Sequence, residues 1–194
     1  MKKVAVLTVA LMLIFLISSE SIFAKQPVVG ASTGAMMPLG ENIKDKFGMG
    51  IPFTVTAKVP ELVMFGDMSL AAGLELGYYM ASGENGGDDL SGIPLLVGGT
   101  LDLSPFLPVE GLMLGIEVNL GLNMQTVGDN SYTNIGLLPG ICIGYNVMEG
   151  LNVVAKVRGA EFLSSEDDAD FGGSQEWLDI RVGVEYALPV ELPF

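Results

Sequence analysis

Leu112 to Gln125 reads L-M-L-G-I-E-V-N-L-G-L-N-M-Q. Its even positions, Leu112, Leu114, Ile116, Val118, Leu120, Leu122 and Met124, are all apolar. Its odd positions, Met113, Gly115, Glu117, Asn119, Gly121, Asn123 and Gln125, are mostly small or polar. A strand points successive side chains to opposite faces, so the stretch has one greasy face and one small, polar face. Strict period-2 alternation fits a strand and not a helix. Which face looks inward decides the fold.

The same alternation recurs at about 28–37, 48–59, 69–80, 93–103, 135–147, 151–162 and 178–188. With the opening stretch these make an even-numbered meander. Connections at 38–46, 81–91, 124–133 and 163–175 are long, polar and mostly acidic, and between them lie shorter ones at 60–68, 104–111 and 148–150. Long loops on one side and short turns on the other are expected of a transmembrane barrel. Pro52 and Pro139 fall inside the expected strands and each removes a ladder donor, which predicts bulges or misplaced strand limits.

Composition narrows the function classes. Only 16 % of residues are charged, and the formal net charge is −14, which opposes nucleic-acid binding. The lone Cys142 forms no internal disulfide, and no Cys/His spacing suggests zinc. Histidine is absent, which removes the commonest general base and the usual catalytic triads.

The chain begins with Lys2 and Lys3, an apolar run from Val4 to Ile17, and Ile22-Phe23-Ala24 before Lys25. This is the pattern of a secretory signal peptide over 1–24, leaving a single domain at 25–194. The run is shorter than the ~20 apolar residues that span a bilayer as a helix.

The strands decide orientation. Water-facing sheet surfaces carry many charges and Thr, whereas this polar face is dominated by Gly, Ser and Asn, which suit the cramped lumen of an eight-stranded barrel. The greasy face therefore looks outward into lipid. In lipid every backbone group needs an internal partner, so the sheet must close on itself. The predicted fold class is all-β, an eight-stranded antiparallel up-and-down transmembrane β-barrel. Tyr78, Tyr145, Trp177 and Tyr186 lie near strand ends and are expected at the membrane interfaces.

Pro139-Gly140-Ile141-Cys142-Ile143-Gly144-Tyr145 is similar to a strand type common in small outer-membrane barrels. Val182-Gly183-Val184-Glu185-Tyr186, followed by Phe194, is similar to their final strand. In these segments the chain resembles the OmpA-barrel and OmpX-like family. Pro189 and Pro193 interrupt the last segment, where that family keeps an unbroken strand. The resemblance implies an outer-membrane location, contact with outer-membrane lipid and lipopolysaccharide, and recognition of the C-terminal strand by the barrel-assembly machinery. A monomer is expected, and unlike full-length OmpA no peptidoglycan-binding domain is expected beside the barrel.

The inward positions hold acids Glu75, Asp102, Glu117, Asp179 and Glu185 and bases Lys58, Lys156, Arg158 and Arg181. Near balance is what a low-dielectric interior demands. The set predicts a charge network plugging the lumen, with Glu117 paired to Arg158 or Lys156; the alternative is a polar channel lining. Glu166, Asp167, Asp168 and Asp170 are oxygen-rich enough to hold a divalent ion but lack EF-hand spacing, so solvated loops are the simpler reading. Asp170-Phe171-Gly172 matches a kinase triplet by chance, since the accompanying motifs are missing. No cofactor is expected. The predicted function is non-enzymatic, envelope-structural or loop-presenting. The competing expectations are a narrow porin-like channel and a soluble periplasmic barrel of lipocalin type.

Overall fold

A computed structural model describes residues 26–163, 171 and 173–190. The predicted signal peptide, the acids from Glu166 to Asp170 and the terminal Phe194 lie outside these residues. Eight strands follow one another: β1 (Val28–Pro38), β2 (Phe47–Phe65), β3 (Met68–Gly83), β4 (Leu90–Asp102), β5 (Leu112–Val127), β6 (Asn130–Met148), β7 (Leu151–Leu163) and β8 (Gln175–Ala187). Each pairs antiparallel with the next, and β1 pairs with β8 from Val28–Ala187 to Pro38–Trp177, so the sheet closes into a barrel. The stretch that opens the sequence reading is β5, with its even positions outward.

The outer surface is a continuous apolar band. Val55, Leu74, Ile116, Ile141 and Val182 are about half exposed, with no cover among the described residues. Burying such side chains would be favourable, so a surface that leaves dozens exposed is built for an apolar solvent. The interior carries the charges. Apolar outside and ionic inside is the reverse of a soluble lipocalin-like barrel, and the chain is a transmembrane β-barrel by construction. Glu161 and Glu176, which face each other outward across β7 and β8, sit at the loop-side ends of those strands.

Several local expectations change. The connection expected at 124–133 is only Gly128-Asp129, and that at 60–68 is only Gly66-Asp67, because the flanking strands continue past the last clear alternation. Gly128 and Gly150 have φ of +55° and +75°, backbone that glycine adopts without strain in such tight turns. The extra length of β2 is accommodated by a register shift between Val59 and Val63, where Glu61 has φ of +49°.

Neither Pro52 nor Pro139 marks a bulge or a strand end. At Pro52 the β1–β2 ladder skips from Thr33–Phe53 to Met36–Gly50, and at Pro139 the β6–β7 ladder skips from Leu137–Glu161 to Gly140–Arg158. Register is kept across both gaps. Pro94 opens the same kind of gap in the β3–β4 ladder, between Leu76–Leu95 and Tyr79–Gly92. Each proline costs rungs on one side only, and the Thr33 hydroxyl donates to the Pro52 carbonyl at 2.9 Å.

Candidate functional site: the barrel lumen

Interior side chains fall into three zones. Nearest the long loops is an apolar core of Met36, Phe47, Tyr79, Leu90, Leu96, Leu138, Phe162 and Trp177. Ile43, from the connection after β1, and Phe171, from that after β7, are fully buried in it. Phe171 meets Phe47 at 6.2 Å and Tyr132 edge-on at 5.0 Å between ring centroids. The Tyr79 ring stacks on Phe162 at 6.1 Å, and its hydroxyl accepts from Asn123 Nδ2 at 2.9 Å and Gln125 Nε2 at 2.5 Å. Gln125 and Gln175 exchange a reciprocal amide pair of 2.8 and 2.7 Å.

Trp177 thus points into the lumen, 1 % exposed, and not to a membrane interface. Its parity with Asp179 carries the signal that its aromatic character obscures. Of the outward aromatics, Phe65, Phe106, Tyr145 and Tyr186 lie toward the chain-terminus end, whereas Tyr78 and its cross-strand partner Phe53 lie in the loop-side half.

Below the apolar core lies the ionic zone. Arg158 binds Glu75 through Nη1 and Nη2 at 2.8 and 3.0 Å, and Asp179 through Nε and Nη2 at 3.0 and 2.7 Å. Arg181 joins the same two acids, Glu75 at 2.8 Å and Asp179 at 2.8 Å, and donates to Thr54 Oγ1 at 2.9 Å. Lys58 meets Glu185 at 2.5 Å, and Lys156 lies 3.6 Å from both Glu185 and Glu117. Glu117 is also 3.7 Å from Arg158, so it stands between the two partners expected for it.

Register explains how like charges coexist. Lys156 and Arg181 are direct cross-strand partners on β7 and β8, an arrangement that repels. Arg181 turns to Glu75 and Asp179 while Lys156 turns to Glu117 and Glu185, so each cation faces its own acids. Glycine makes room for the long side chains: a Cβ on Gly140 would lie 2.5 Å from Arg158 Cγ, and one on Gly73 would lie 2.9 Å from Lys58 Cγ.

Asp102 is not part of this network. It ends β4 at the terminus-side mouth, where Oδ1 accepts the Ser104 N–H at 2.9 Å and the Ser104 hydroxyl, holding the 3₁₀ turn Ser104–Phe106. Without it the network has four acids, Glu75, Glu117, Asp179 and Glu185, against four bases, Lys58, Lys156, Arg158 and Arg181. Formal neutrality is what removes the cost of a net charge in a low-dielectric interior. Thr54, bonded also to Ser32 at 2.7 Å, joins the network through a hydroxyl that charge counting misses.

The third zone is a chamber of about 260 Å³ at the terminus-side mouth, lined by Lys58, Asp102, Met113, Cys142 and Glu185 among others. Among the described residues no group of three or more metal-ligating side chains occurs.

Neither a family model nor a curated protein matches the sequence. Solved structures do match the fold. Neisserial surface protein A superposes with a TM-score of 0.58 at 15 % identity, over 84 % of this chain and 97 % of that one. A major outer membrane protein from Thermus thermophilus gives 0.54 at 14 % identity, over 86 % and 100 %. Identities this low speak for architecture alone. On that evidence, with its apolar outer band, closed ladder and ionic interior, the chain has the fold of the small eight-stranded outer-membrane β-barrels.

Proposed function

We propose that this protein is a non-conducting, non-enzymatic barrel of the outer membrane, acting through its rigid scaffold and the loops it presents. The observation that carries this reading is the double closure of the lumen. A neutral ionic layer crosses it through Arg158, Glu75 and Asp179, and an apolar layer around Tyr79, Phe162 and Trp177 lies between that network and the loops. The polar groups inside the second layer, the Tyr79 hydroxyl and the amides of Asn123, Gln125 and Gln175, are bonded to one another, which supports a closed lumen. The absence of histidine from the whole chain supports a role without acid–base chemistry.

In this reading the leader over 1–24 exports the chain, the assembly machinery inserts it through its C-terminal strand, and it stands as a monomer among lipid and lipopolysaccharide. The rim carries Glu41, Asp45, Glu84, Asp88, Asp89 and Asp129 against Lys44 and Lys46, so it is net acidic, and a surface partner would present positive charge or share bridging cations. Reconstitution into planar bilayers tests the closure: no steady conductance is expected, and stable ohmic steps would sink the proposal. Outer-membrane fractionation with carbonate extraction and heat-dependent gel mobility tests the address.

A further inference from the structure

Glu117 is the loosely held acid of the ionic layer. Glu75, Asp179 and Glu185 each have a cation at 2.8, 2.7 and 2.5 Å, whereas Glu117 lies 3.6 Å from Lys156 and 3.7 Å from Arg158. Its side chain is 2 % exposed, and its Oε1 accepts no hydrogen bond from any described residue. A buried acceptor without a bond has lost its solvation and gained nothing for it, so such atoms are rare in folded proteins. Beyond about 3.5 Å a direct polar contact is weak, and a water bonded to both groups can replace it.

The strand register leaves a space beside this carboxylate. Gly73 and Gly98 are direct cross-strand partners on β3 and β4, so two neighbouring inward positions carry no side chain. The result is a cavity of about 20 Å³ lined by those glycines together with Glu117, Thr100, Asn119 and Lys156. A single buried water needs roughly 10–15 Å³ on the same measure, and about two to four polar partners. Both conditions hold here. Thr100 and Lys58 line this cavity and the terminus-side chamber alike, so the two adjoin.

We infer that this cavity is a binding site for one ordered water, which donates to Glu117 Oε1, accepts from Lys156 Nζ and enters from the terminus-side chamber. The water completes the ionic layer at the one acid that the guanidinium groups do not grip. Lys58 and Lys156 oppose a cation in the same space, and Glu75 and Glu117 oppose an anion, so a neutral dipole is the ligand that suits it. The layer is then wet on its terminus side as far as Glu117, while the contacts of Arg158 with Glu75 and Asp179 stay direct.

A crystal structure of the full-length barrel that shows ordered solvent is expected to place one peak within about 2.5–3.2 Å of both Glu117 Oε1 and Lys156 Nζ. An empty cavity, a Glu117 carboxylate bonded directly to Lys156 or Arg158, or an anomalous peak at the site after a rubidium soak each overturns the site. Oxygen-17 relaxation dispersion in detergent micelles checks it in solution. Thr100→Leu, which puts a larger side chain into the cavity, is expected to lose one long-lived water, and Thr100→Ser to keep it; equal counts in Thr100→Leu and the parent overturn the site. The crystallographic result rests on the unmodified protein and stands where Thr100→Leu folds poorly. Steady conductance in planar bilayers would sink the closed-lumen reading and leave this site untouched.

Discussion

Arg158 on β7 grips Glu75 on β3 with two parallel N–H···O bonds of 2.8 and 3.0 Å, although 83 positions separate them in the chain. The pair spans the lumen and is out of water, with side-chain exposures of 0 % and 5 %. A bidentate guanidinium–carboxylate contact fixes both side chains in one plane, and here it fixes two walls of the barrel relative to each other. Asp179 occupies the remaining edge of the same guanidinium, so Arg158 is the hub of the ionic layer.

Removing the hub leaves Glu75 and Asp179 sharing Arg181 alone, with one buried negative charge in excess. Arg158→Met is expected to cost about 3–5 kcal/mol, the range for breaking a buried pair from one side. Urea unfolding in lipid vesicles measures it. Replacing Glu75 by Leu in the same background should recover part of the loss, because the layer is then formally neutral again. A loss no greater than that of an exposed pair would mean the layer is not structurally coupled.

Barrel closure depends on close approach between β1 and β8. A Cβ at Gly34 would overlap the Ile180 carbonyl oxygen, a backbone atom that cannot swing aside. Gly34→Ala is therefore expected to destabilise the closing seam by about 1–3 kcal/mol or more and to lower the yield of the compact, heat-modifiable gel form. Gly159 on β7 faces outward with nothing within 4 Å of its would-be Cβ. Gly159→Ala should fold like the parent, within about 0.5 kcal/mol.

The outward face is tested by charge. Val182, in the middle of β8, is 57 % exposed on that face. Val182→Arg is expected to cost about 2–4 kcal/mol at the depth of the bilayer centre. A change near zero in vesicle unfolding would argue that β8 does not face hydrocarbon.

Trp177 is the chain's only tryptophan and is buried in the loop-side core at 1 % exposure. Its emission is expected to be blue-shifted and weakly quenched by aqueous acrylamide. Brominated lipid should quench it weakly as well, because the β8 wall lies between the indole and the acyl chains. Strong quenching by the lipid probe alone would return it to the membrane interface.

Much of the architecture is legible in the chain because strand periodicity is a local property. Each residue's face follows from its parity with its neighbours, so β5 could be read from fourteen residues and the other strands from the same rule. Parity also places Glu75, Glu117, Lys156, Arg158, Asp179 and Arg181 on one side of the wall. The solvent outside follows from chemistry, since a long face of Leu, Ile, Val and Met opposite small and ionic residues suits hydrocarbon better than water.

Partner choice is different, because it depends on height along the barrel and on curvature, and neither is local. Asp102 shares parity with the network but lies at the mouth, so distance excludes it and the network becomes neutral. Trp177 carries an interface-like side chain, yet its inward register and the Ile43 and Phe171 brought in by the loops bury it. Prolines that locally argue against a strand are absorbed by a closed sheet, where the strand on the other side keeps the register. The sequence by itself determined the strands, their two faces and the sign of each inward charge. Only the closed tertiary structure decided which charges meet, that an apolar core occupies the loop end, and that the terminus end keeps a chamber. Those outcomes depend on bringing distant segments within a few ångströms of one another across the lumen.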